Sequence, residues 1–270
     1  MVKFRLIPTI LLNDYMIVQS FKFEKYLPIG NVETAIEFFN NWDVDEIVLL
    51  DIMATKKGRL PNIDIVEKAS VGCFVPLTFG GGIKTVDDIR NIIRAGADKV
   101  VIGAEAVRNP NLIRDGAERF GDQCMTVSID YKMNAQQEPE VFIENGKLAT
   151  GLHPLDLAKK VEVLGAGEIL LYSIDRDGSR MGYDLEMIDM ISSSVGIPVV
   201  ACGGVGINRH FAEGIQKGHA QAVAAGNIFN HTEHSTIQAK AYMVQKGLDI
   251  RLSSVVNYEE FGFDHIDRAY

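Results

Sequence analysis

Apolar residues fall into eight short, nearly continuous runs, and the stretches between them carry a helical rather than an alternating pattern. The runs cover residues 5–12, 46–51, 75–79, 99–102, 125–130, 168–174, 198–202 and 220–224. Runs without alternation are what parallel strands buried on both faces require. Within 85–95, Val86, Ile89, Ile92 and Ile93 share one face of a helix, and 208–217 reads likewise. Gly96 and Gly218 stand where these two helices should stop. Eight strands in strict alternation with helices predict an α/β protein, a closed (β/α)8 TIM barrel rather than an open sheet.

The pattern also repeats internally. Residues 46–50 (EIVLL) match 168–172 (EILLY) at an offset of 122. The same offset carries Pro76 to Pro198, Gly81-Gly82 to Gly203-Gly204, and Gly96 to Gly218. A duplicated half-barrel accounts for this. No low-complexity linker divides the chain, so residues 1–252 read as one barrel domain. Residues 253–270 break the alternation and read as a C-terminal extension.

Composition narrows the class further. At 270 residues the chain has the length of a single barrel, typically ~250 residues. No apolar run approaches the ~18 residues of a membrane span. The apolar start at 4–12 is broken by Arg5 and Pro8 and runs into Asn13-Asp14, so it reads as a first strand rather than a signal peptide. A net charge of −9 argues against nucleic acid, which needs a basic stripe. Cys73, Cys124 and Cys202 are widely spaced and suit a reducing, cytoplasmic setting. His231 and His234, the one close histidine pair, have no ligand partner at metal spacing and read as loop residues. No metal and no cofactor are expected.

Candidate chemistry lies at strand C-termini, the face where barrels of this kind carry their active sites. Gly80-Gly81-Gly82 follows the third strand and Gly203-Gly204 the seventh. Gly103-Ala104 and Ala225-Gly226 end the fourth and eighth. Small residues there let backbone N–H groups approach an anion at a helix start. The duplication supplies two such cradles, matching a ligand with two phosphates. Asp51, Asp130 and Asp175 end strands, with Asp177-Gly178 just beyond. Several carboxylates together at a buried edge favour a site.

These residues resemble the HisF family, the cyclase subunit of imidazole glycerol phosphate synthase. The resemblance is carried by residues 165–178 (GAGEILLYSIDRDG), Gly80-Gly81-Gly82-Ile83, residues 96–100 (GADKV) and Asn109-Pro110, and it covers about residues 1–252. It implies ammonia taken from a glutaminase partner and used to cleave and cyclise a bisphosphorylated substrate. It also implies that Arg5, Glu46, Lys99 and Glu168 ring the ammonia entrance at the barrel bottom, with Asp98 in glutaminase docking. A charge-balanced plug is the plainer reading of the same four residues.

The substrate face departs from the family. Of its two catalytic aspartates the second is present as Asp130, but the first is Leu11, which transfers no proton. Gln19 stands for a lysine, Gly103-Ala104 for an Asn-Thr pair that helps hold a phosphate, and Tyr172 for a threonine that supports catalysis. Changes confined to the mouth, with an intact ammonia entrance, resemble HisF-like proteins of surface-polysaccharide pathways. There a glutaminase and HisF-like pair is thought to deliver ammonia to a separate amidotransferase that forms an acetamidino group on a sugar. The alternatives are a histidine-pathway cyclase in which Asp130 works with Asp51, Asp14 or water, and a non-catalytic phosphate-binding scaffold. Tyr131 and Tyr172 either narrow the mouth or pack in the core, and Arg176 either binds or balances charge.

Overall fold

The computed structural model describes residues 3–230, 234–264 and 267; His231 and the far end of the extension lie outside the described residues. Strand β1 (Arg5–Asn13) runs into a hairpin, β2 (Met16–Phe21) and β3 (Lys25–Gly30), and then helix α1 (Val32–Asn41). Next come β4 (Ile47–Asp51), α2 (Ile63–Gly72), β5 (Leu77–Gly80), α3 (Val86–Arg94), β6 (Lys99–Ile102), α4 (Ala104–Arg108) and α5 (Asn111–Phe120). The second half repeats the plan. Strand β7 (Met125–Met133) runs into β8 (Pro139–Ile143) and β9 (Leu148–Ala149), followed by α6 (Pro154–Val163). Then follow β10 (Glu168–Ser173), α7 (Leu185–Ser192), β11 (Val199–Cys202), α8 (Asn208–Gln216), β12 (Ala222–Ala225) and α9 (Ser235–Gln245).

Around the barrel the order is β1, β4, β5, β6, β7, β10, β11, β12 and back to β1, all parallel. The predicted (β/α)8 barrel is therefore observed. Most strand bounds shift by one or two residues from the sequence expectation, and two differences have a clear cause. Strand β5 begins at Leu77 rather than at residue 75, because Pro76 has no N–H to give and its carbonyl accepts from Ile47 N instead (2.9 Å). The two hairpins were not anticipated. Their turns rest on left-handed Asp14, Lys22 and Phe23 in the first half and on Gln137, Glu144, Asn145 and Gly146 in the second, so only the last carries the glycine that marks most hairpins. Both hairpins follow the first strand of a half, as a duplication would leave them.

Strand alternation sorts side chains into two layers. Leu6, Ile10, Leu12, Val127 and Ile129 face outward onto the helices, while Ile7, Val48, Val101, Leu170, Val200 and Ala224 fill the interior. Helix α3 starts at a capping box made by Thr85 and Asp88. On α9, Lys240 is fully buried between Asp45 (2.8 Å) and Asp43 (3.2 Å). The segment after Arg251 folds back on that helix: the Tyr258 hydroxyl donates to Asp43, and Phe263 meets Tyr242 edge-on at 5.1 Å. Among the described residues no helix is long and apolar enough to cross a membrane, and no group of His, Cys, Asp or Glu is placed to hold a metal.

Candidate active site

At the strand N-termini four charged side chains close a ring inside the barrel wall. Arg5 Nη1 donates to Glu46 (2.8 Å) and its Nη2 to Glu168; Lys99 Nζ reaches Glu46 (2.9 Å) and Glu168 (3.3 Å). Thr78 Oγ1 adds a bond to Glu46 (2.7 Å). Burial works against the Arg5 charge, but Glu168 and Glu46 outweigh it and hold its pKa above the ordinary value. Each carboxylate thus faces two cations and each cation two carboxylates, the arrangement in which buried charge is tolerated. Asp98 sits beside this ring at the surface. One of its oxygens accepts from Leu77 N (2.8 Å), which fixes the side chain between the starts of β5 and β6.

At the opposite end the ten small or acidic residues singled out as phosphate contacts gather into two cavities. Gly81, Gly82, Gly103 and Ala104 line the first, of about 110 Å³. Asp177, Gly178, Gly203, Gly204, Ala225 and Gly226 line the second, of about 380 Å³. Each cavity also holds a cation that sequence reasoning missed: Lys84 in the first, Arg180 in the second. Their signal was position, each two residues past a key glycine. Gly81 has φ +119, and a Cβ there would strike the Asp51 carbonyl, whereas a Cβ on Gly103 would meet open space. We therefore expect Gly81→Ala to cost about 1–2 kcal/mol from backbone strain alone. Gly103→Ala should be nearly neutral, and urea unfolding of the two variants measures the difference.

The carboxylates at the mouth do not have equal freedom. Asp51 is buried and saturated: Arg59 grips it with both guanidinium arms (2.6 and 3.0 Å), and Met53 and Ala54 N–H groups donate to Oδ1. Asp14 turns away on a left-handed residue to pair with Lys57 (2.6 Å) and Arg59 (3.4 Å); the Lys57 bond holds its pKa below the usual range. Both carboxylates are therefore engaged by cations. Asp175 is spent on Met133 N (2.9 Å). Asp130 is different. It lines the first cavity with Ser128 Oγ as its hydrogen-bond donor (2.6 Å), and burial pushes its pKa up to about 6. A carboxyl that titrates near neutrality suits general acid–base work.

Tyr172 stands at the centre. It lines both cradles and a third, apolar cavity beside α1. Its hydroxyl donates to Asp177 (3.1 Å), whose other oxygen accepts from Ser20 (2.6 Å), and the Phe23 ring packs edge-on against it at 4.9 Å. Burial raises the Asp177 pKa against these bonds. The β2–β3 hairpin is tied down further by paired bonds between Ser20 and Asn227. Tyr131, by contrast, is a core residue with its hydroxyl on Asp184 (3.1 Å). Arg176 is half-buried beside the second cradle rather than part of its lining.

The barrel thus carries an ion ring at one end and paired glycine cradles at the other. The chain belongs to the HisF family: the profile described as "Histidine biosynthesis protein" matches residues 5–236. It is 52% identical over 270 residues to the chain named as imidazole glycerol phosphate synthase subunit hisF2 of Vibrio vulnificus (strain YJ016), covering 100% of this chain and 99% of that one. It is 44% identical over 253 residues to imidazole glycerol phosphate synthase subunit HisF of Clostridium botulinum (strain 657 / Type Ba4), covering 93% of this chain and 100% of that one. The Okra strain's subunit HisF matches to the same extent.

Proposed function

We propose that this chain is the synthase subunit of a glutamine amidotransferase pair. A glutaminase docks at the end bearing Asp98 and the ring of Arg5, Glu46, Lys99 and Glu168. Ammonia released there passes through the barrel as the neutral nucleophile, shielded from protonation. It meets a phosphorylated acceptor held in the glycine cradles, where Asp130 and Ser128 handle the proton. The closed ion ring carries this reading, because two buried glutamates and two half-buried cations are costly to keep where a plain apolar plug would serve. On this reading the barrel is residues 1–252 and residues 253–270 are an extension of it.

For the acceptor we favour amidine formation on a sugar of surface-polysaccharide synthesis, working with a separate amidotransferase. The support is Leu11: no carboxylate of the mouth stands in for the missing acid, since Asp14 and Asp51 are both held by Arg59. A second reading, the histidine-pathway cyclase itself, draws support from Asp130 and from the names of the relatives. The two separate in a steady-state assay of the purified pair on the histidine-pathway bisphosphate substrate, with glutamine or with ammonium salt. We expect stimulated glutamine hydrolysis without cyclised product. Robust turnover with ammonium would establish the cyclase reading instead, and absence of any glutaminase stimulation would overturn both.

A further inference from the structure

The cavity beside α1 takes no part in the function proposed above. It holds about 430 Å³, more than either cradle. It joins the second cradle through a neck, since Tyr172, Gly226 and Asn227 line both. The neck is fixed in place. The Asn227 amide donates to the Ser20 carbonyl (2.7 Å), and its side-chain oxygen accepts from Ser20 N (3.2 Å). From there the cavity leaves the barrel axis, because Ile10 and Phe39 on its wall belong to the layer between strands and helices.

Its walls select for hydrocarbon. Leu11, Val18, Trp42 and Phe229 line it, and its polar side chains are engaged locally. The Asn31 side-chain oxygen caps α1 by accepting from Thr34 N (2.9 Å), and Asn230 donates to the Gly226 carbonyl (3.3 Å). A hydroxyl-rich group entering here would give up water without recovering its hydrogen bonds. A methylene buried here tightens binding about fourfold. Leu11 belongs to this wall, and an ionised carboxylate in its place would spoil it. The outer end is open. Ile29, where β2 and β3 lose register, and Phe38 of α1 both line the cavity and remain exposed, forming an apolar lip.

We infer that the second cradle and this cavity together bind one phosphate ester of an apolar chain. The phosphate lies among Gly203, Gly204 and Gly226, and the chain runs past Tyr172 and Trp42 towards Phe38. The two compartments fix that direction: glycine backbone and Arg180 line the cradle, and hydrocarbon lines the space beyond the neck. An extended chain fits because the far end is open, so its length is not capped. The inference rests on reading the second cradle as a phosphate site, and it names the part of the ligand that is not phosphate.

Trp42 is the only tryptophan of the chain, so its emission reports on this cavity directly. Butyl phosphate and octyl phosphate are titrated separately into the full chain, below micelle formation, with inorganic phosphate and octanol as controls. The expected result is a saturable change in Trp42 emission with octyl phosphate, at a midpoint about tenfold or more below that of butyl phosphate. Added inorganic phosphate should raise that midpoint by competing for the cradle. Phe38→Ala, at an exposed position, should weaken octyl phosphate several-fold, and circular dichroism checks that this variant keeps the fold. Absence of a saturable change, equal midpoints for the two esters, or octanol binding as tightly as octyl phosphate would overturn the inference. Neither glutaminase nor ammonia is present, so this outcome is independent of the assay on the pair.

Discussion

Replacing Lys240 with alanine should lower the unfolding free energy by about 3–5 kcal/mol, the range for removing one partner of a buried ion pair. The ammonium group has no exposed surface and is divided between Asp45 at 2.8 Å and Asp43 at 3.2 Å. Asp45 is further committed, its second oxygen accepting from Leu6 N (2.8 Å), so it cannot swing out to solvent without freeing the start of β1. Burial already raises the Asp45 pKa against the pull of Lys240. Without the lysine, Asp45 must either take up a proton or stay charged in an apolar setting. The deficit of the variant should shrink as pH falls, because a protonated carboxyl needs no counter-ion. Lys240→Met together with Asp43→Asn and Asp45→Asn should recover most of the loss. Urea denaturation at two pH values measures all of this, and a deficit under 1 kcal/mol at neutral pH would contradict the account.

The second large effect is expected at Asp130 and runs in opposite directions for stability and chemistry. Its pKa is about 6 in the folded chain against 3.8 ordinarily. The native state therefore binds this proton more tightly than the unfolded chain does. The stability this confers is fully present below pH 4 and is lost as pH rises through 6. A difference of that size corresponds to about 3 kcal/mol, and we take about 2 kcal/mol because the carboxyl is only part-buried, on the wall of a cavity. Asp130→Asn should then be more stable than the parent by about 2 kcal/mol at pH 8, with the gap closing towards pH 4. The same change should slow any step that moves a proton at the first cradle by ~10²–10⁴-fold. Denaturant midpoints across pH test the first part. A variant less stable at pH 8 would show that the carboxylate is held by the fold rather than stored against it.

What could be read from the sequence follows from where the forces are local. Strands such as 46–51 and 168–173 are legible because a strand buried on both faces has to be apolar throughout, and the repeat at Gly81-Gly82 and Gly203-Gly204 is legible because their left-handed backbone excludes other residues. The ring residues could be located through their places at strand starts. Which carboxylates remain free could not. Arg59 lies eight positions beyond Asp51 along an irregular loop, and nothing in its neighbourhood says that it will bind Asp51 with both arms. The first hairpin was missed because its register depends on Asn227 and Asp177, some two hundred and one hundred and fifty positions away. Ser128 reads only as an interruption in a strand until the barrel gives it an inside.

The two ends of this barrel are also separable. Glu168 in the ring and Tyr172 at the mouth lie on the same strand about 13 Å apart, and between them Ile7, Val48, Leu170 and Val200 form a rigid apolar layer. Sites that far apart without shared partners contribute additively to stability. Rebuilding one end therefore leaves the other energetically blind to the change. On the proposed function the barrel is an adapter whose socket and outlet can be specified independently, and combined substitutions at ring and mouth should sum.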